Sequence, residues 1–148
     1  MDKVKLSTAN IVILASGAVI LIASFLPFYK ASSGSGSVNA WSSGNFLIAT
    51  LPALLGVLMG VEVALVAFAS GVKLPERLLG LSWTQVHLVF GFQAAIMMLA
   101  FLIRSTGYGA SRGIGLYLML LAAIGLLVGA VLRMQEKPAG ATPPPTAS

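Results

Sequence analysis

Cysteine is absent from this 148-residue sequence. Disulfides, thiol redox chemistry, Cys-ligated zinc and iron–sulfur clusters are excluded with it, while the redox compartment stays open. Charge is almost as scarce. Only 9% of residues are Asp, Glu, Lys or Arg, where a soluble domain carries roughly a quarter. A single histidine, His87, rules out bis-histidine haem within one chain and argues against a three-ligand zinc site. No Gly-rich phosphate loop follows a strand, and no HExxH or His/Asp/Glu ligand cluster is present. Ser and Thr are numerous but lack a paired base, so nucleophilic catalysis has no visible machinery. The expectation is a protein that is not an enzyme and holds no cofactor or metal.

What is present is apolar residue, 57% of the chain. Four runs of about 20 uncharged apolar residues each match the length of helix that crosses a hydrocarbon core of about 30 Å. Lipid offers no partner for backbone N–H and C=O groups, so helices are the expected form. The fold class read from the sequence is all-α: four transmembrane helices in an antiparallel bundle, over about 9–29, 46–72, 83–103 and 114–132. Residues 1–8 read as a basic cytoplasmic start and 134–148 as a disordered Pro/Ala/Thr-rich tail, with Arg133 stopping the fourth helix. The first run is too long for a signal peptide, and no small-residue cleavage site follows it. Pro27 ends that helix, and the Ser/Gly run 31–37 reads as flexible linker.

The net charge of +5 and pI near 10.0 do not point to nucleic acid, because the basic residues are scattered at helix ends without a patch. They fit membrane boundaries better. Lys3, Lys5, Lys73, Arg77, Arg133 and Lys137 fall on one side, against Lys30, Arg104 and Arg112 on the other. That imbalance places both termini in the cytoplasm, and the expected address is the plasma membrane, with a multi-pass chain. Tyr29, Trp41, Phe46, Tyr108 and Tyr117 are expected at the outer interface, and Trp83 at the inner one.

Small residues at helical spacing mark packing faces. These are Gly17 and Ser24 in the first helix, Gly56 and Gly60 in the second, Gly91 in the third, and Gly125 and Gly129 in the fourth. Packing inside one bundle is preferred over a homodimer face, since each helix needs an internal partner.

Glu62 lies inside the second run, where a carboxylate is costly in lipid. It sits about 140° around the helix from the Gly56/Gly60 face. His87 and Gln93, about 6 and 15 Å deep in the third helix, bracket its depth of about 12 Å, so either is a candidate partner. A structural hydrogen bond from a protonated Glu62 is preferred over a proton or cation relay, for which too few polar groups are present. The absence of an inverted repeat weakens a secondary-transporter reading.

The segments Leu26-Pro27-Phe28-Tyr29 and Ala40-Trp41-Ser42-Ser43-Gly44, the Trp83-x-x-x-His87 start of the third helix, and the Gly125/Gly129 pair together resemble small four-helix transmembrane proteins of actinobacterial type. The resemblance implies a fold and a membrane address, and transfers no catalytic residues. A claudin-like kinship is rejected for want of a cysteine pair and a long first-loop sheet. The functional expectation is an accessory or scaffold subunit of a membrane complex, with a membrane-protein partner or homo-oligomer and no nucleic acid. The alternative is a small oligomeric proton or cation transporter built around Glu62.

Overall fold

The computed structural model describes residues 6–33, 36–43, 45, 47–104 and 109–136. It is mostly helical: α1 Thr8–Ser24, α2 Thr50–Phe68, α3 Trp83–Ile103 and α4 Ile114–Gln135. Three of these, α2, α3 and α4, are long and apolar enough to cross a membrane, whereas α1 is shorter at 17 residues. This is a membrane protein by the length and composition of its helices.

Local chemistry accounts for the helix ends. Ser7 accepts from the Asn10 backbone N–H at the start of α1, and Glu136 Oε1 accepts from the Ala9 N–H, tying that start to the end of α4. Both acceptors satisfy N–H groups that the helix itself leaves unpaired. Ser82 and Gln85 form a capping box on α3. Pro52 falls in the first turn of α2, where its missing N–H is harmless.

Several boundaries differ from the sequence reading. α1 ends at Ser24 rather than near Tyr29, because beyond Pro27 the chain turns into β1 (Tyr29–Ala31). The Ser/Gly run read as flexible linker instead contributes β2 (Ser37–Val38), and β5 (Ala110–Arg112) completes a three-stranded sheet in the order β2-β1-β5. The fold is therefore not purely helical. α2 spans Thr50–Phe68, shorter at both ends than 46–72, and Phe46 lies outside the described residues. Arg133 does not stop α4, which continues to Gln135. The rest of the expected tail, from Lys137 on, lies outside the described residues, as do residues 1–5 and Tyr108.

Residues 73–80 lead into a hairpin of β3 (Arg77–Leu78) and β4 (Leu81–Ser82), with Leu78 opposite Leu81. Its two turn residues, Leu79 and Gly80, both have positive φ, 52° and 83°. Two-residue hairpins favour that geometry because it matches strand twist.

In lateral order the helices run α2, α1, α4, α3, and α3 closes more lightly on α2. Small residues set the close approaches. A Cβ on Gly17 would lie 2.9 Å from Gly56 O, and one on Gly91 would lie 2.9 Å from Leu127 Cα. A Cβ on Gly125 would collide with Ser16 Oγ, and one on Gly129 would press on Ile13. Gly56 faces Ile20 and Leu126. Fully buried Ile13, Ile20, Met59, Met98, Met119 and Leu126 fill the space between.

The end bearing the three-stranded sheet is tied to the helices by aromatics. Phe28 is fully buried and meets Phe101 edge-on, with centroids 6.0 Å apart. Trp41 stacks on Phe25 at 5.6 Å, and its indole N–H donates to Ser24 Oγ at 2.9 Å. Ser24 thus bonds rather than packs: its hydroxyl donates to Leu21 O at 2.6 Å. Tyr29 OH donates to Phe101 O at 3.3 Å. Thr50 Oγ1 donates to Ala40 O at 2.7 Å, tying the first loop to the start of α2.

Candidate functional site

At the end of the helices opposite the sheet, three helices each contribute one polar side chain. Glu62 comes from α2, His87 from α3 and Arg133 from α4. Glu62 Oε1 and Oε2 accept from Arg133 Nη2 at 3.1 Å and Nη1 at 2.9 Å. His87 Nε2 lies 3.0 Å from Glu62 Oε2, and His87 Nδ1 lies 3.3 Å from Arg133 Nη1. With the ring proton on Nε2 the imidazole donates to the carboxylate, while Arg133 Nη1, 3.3 and 3.5 Å from the two ring nitrogens, packs against the ring.

Glu62 and His87 are only 4% and 1% exposed, and Arg133 18%. A fork-to-fork pairing with a guanidinium is the geometry of an ionised carboxylate, so Glu62 reads as the anion of a pair rather than a neutral hydrogen-bond donor. Glu62⁻ and Arg133⁺ cancel, so the pair carries no net charge into the apolar interior. That matters where a single uncompensated charge costs about 2.5–3.5 kcal/mol on insertion scales.

Arg133 is the member missed in the sequence. Its position as a helix end hid it, yet the signal existed. Ala122, Leu126, Gly129 and Arg133 follow 4-3-4 spacing, and the first three are buried. That spacing defines one inward face. A helical side chain also leans toward its own N-terminus, which carries the guanidinium inward from the end of α4 to meet Glu62.

Gln93, the other candidate partner, does not join the cluster. It is exposed and makes no hydrogen bond among the described residues. Six residues of helix amount to about 600° of rotation, which turns Gln93 about 120° away from His87. Depth leaves both residues within reach of Glu62; rotation about the helix axis separates them. Among the interface candidates, Trp83 donates its indole N–H to Pro75 O at 2.7 Å and is half-buried. Trp41 and Tyr29 are spent on internal bonds at the sheet end.

Beside the cluster, between α2 and α3 and partly roofed by the hairpin segment, lies a cavity of about 210 Å³. Leu58, Leu65, Leu74, Val86 and Phe90 line most of it, with Glu62 and His87 in one wall. Among the described residues, the other buried polar side chains are Ser16, Ser24, Asn45 and Thr50. Ser24, Asn45 and Thr50 belong to the sheet end, and twelve residues of α2 put Thr50 about 18 Å from Glu62. The cluster can hold three helices together, and among the described residues Ser16 is the one buried polar side chain between it and the sheet end. No group of three or more His, Cys, Asp or Glu that could hold a metal occurs among the described residues. Comparison with family models, with curated proteins and with solved structures finds no match.

Proposed function

We propose that the chain is a multi-pass plasma-membrane protein, four spans in an antiparallel bundle with both termini cytoplasmic, acting as an accessory or scaffold subunit of a membrane complex. α1 serves as the fourth span. Its 17 residues rise about 25 Å, and the apolar segment Phe25–Phe28 carries the chain on to the sheet. Backbone groups in that segment are bonded, with Leu26 N–H on Ala23 O and Phe28 N–H on Val38 O, as a membrane setting demands.

The observation that carries it is the closed Glu62–His87–Arg133 cluster. α2 and α4 touch little elsewhere, and the cluster ties them together with α3 between. Its groups satisfy one another, so nothing in it is left waiting for a transported ion. Such a cluster serves as a clamp within a packing module.

A second reading, a small oligomeric proton or cation transporter, is favoured by one observation: the cavity reaches Glu62 and His87. Reconstituted vesicles separate the two. The scaffold reading expects no proton or cation flux from the wild-type chain under imposed pH or voltage gradients, and unchanged vesicle behaviour for Glu62→Gln. Wild-type flux that Glu62→Gln abolishes would replace the scaffold by the transporter.

A further inference from the structure

Gln93 is the eleventh of the 21 residues of α3, about 15 Å from either end of the helix. A polar carboxamide at that depth faces hydrocarbon. It is exposed and unbonded among the described residues, and a buried or lipid-facing amide without a partner is costly. The surface around it is the loosest seam of the molecule. α2 and α3 pack least closely of the lateral neighbours, and a cavity opens at each end of their contact. The one beside Glu62 holds about 210 Å³; the other, lined by Ile48, Met97, Phe101 and Arg104, holds about 130 Å³. Gln93 stands between them, three residues after Phe90 of one and four before Met97 of the other, spacings that share a helix face.

We infer that this α2–α3 seam is where a second copy of the chain docks, with Gln93 of each copy bonded to its counterpart across a two-fold axis. Resting on the membrane reading above, the inference commits to one partner for two reasons. A carboxamide both donates and accepts, so two of them can pair through two reciprocal N–H···O bonds, and a residue on a two-fold axis meets itself. Copies inserted in the same direction also present Gln93 at the same depth, which no other partner does without a polar group of its own there. Around the amide, Leu58 (56% exposed), Val89 (49%) and Ile96 (50%) offer the apolar contact surface. Interhelical packing and hydrogen bonds, rather than a hydrophobic gain, drive such association in lipid.

The native sequence has no cysteine, so single cysteines report cleanly. In native membranes under a mild oxidant, Gln93→Cys should give a covalent dimer. Leu121→Cys, on the exposed face of α4, should stay monomeric. In fluorescence-transfer titrations in vesicles, Gln93→Leu should weaken self-association about eightfold, the loss of two hydrogen bonds at the average measured in membranes. The inference is overturned if Gln93→Cys yields no dimer or dimerises no more than Leu121→Cys. Gln93→Leu associating like wild type, or Gln93→Cys linking to a different protein in place of itself, would overturn it too. Retention of each variant in membranes after alkaline washing reports separately on the membrane reading.

Discussion

At the scale of single residues, the partners of the ion cluster differ in how much water they can reach, and that difference predicts unequal costs. Glu62 is 4% exposed, while Arg133 is 18% exposed and near the end of its helix. With Glu62 replaced by Leu, the arginine can extend its stem and return its charge to the interface. With Arg133 replaced by Leu, the carboxylate stays buried beside His87 with no cation. Breaking a buried pair costs about 3–5 kcal/mol when the remaining charge is stranded. Arg133→Leu is therefore expected to lose about 3 kcal/mol and Glu62→Leu about 1 kcal/mol. The double variant should recover most of the Arg133→Leu loss, since apolar replacements of a buried pair are often neutral. Equilibrium unfolding in mixed detergent micelles measures all three. Equal losses for the two single variants would show that Arg133 is as trapped as Glu62.

At the scale of elements, the close approach of α1 to α2 depends on Gly17 more than on Gly60. A Cβ on Gly17 would press on the backbone carbonyl of Gly56 at 2.9 Å, whereas one on Gly60 would find only Gly17 Cα at 3.8 Å. A backbone atom cannot move aside as a side chain can, so Gly17→Ala must push the helices apart. Overpacking of this kind costs about 1–3 kcal/mol. Gly60→Ala, at ordinary contact distance, is expected to be tolerated or slightly stabilising through its better helix propensity, about 1 kcal/mol at most. Thermal unfolding of the two variants side by side checks the contrast. The two glycines look alike in sequence, each part of a small-residue pattern, and only the crossing of α1 over α2 separates them.

At the scale of the whole molecule, the proposed orientation with both termini cytoplasmic rests on charge counts and can be tested directly. Ser33 lies in the turn after β1, exposed, and Leu79 at the hairpin tip is 97% exposed. The two sit at opposite ends of the helices. In intact cells an impermeant thiol reagent should label Ser33→Cys and leave Leu79→Cys unlabelled until the membrane is opened. The reverse pattern would turn the whole protein over.

Much of this molecule was present in its sequence, for a reason specific to lipid. Hydrocarbon leaves backbone groups no partner but their own helix, so uninterrupted apolar runs reveal helices without knowledge of what packs on what; α3 at Trp83–Ile103 lies where its run does. Glu62 and His87 stood out by being polar in such a run. The sheet joining Tyr29–Ala31, Ser37–Val38 and Ala110–Arg112 was not legible, because its strands are two or three residues long and the pairing of Tyr29–Ala31 with Ala110–Arg112 spans more than seventy positions of chain. Nor was the role of Arg133, which looks like any basic helix end until α2 and α4 are placed at the same depth. Gln93 fails as a partner for Glu62 by rotation, a quantity that matters only once α3 is seated. Composition and periodicity determined which segments are helices, while the tertiary structure decided which polar groups meet, because meeting depends on helix rotation and neighbour order that no single run contains.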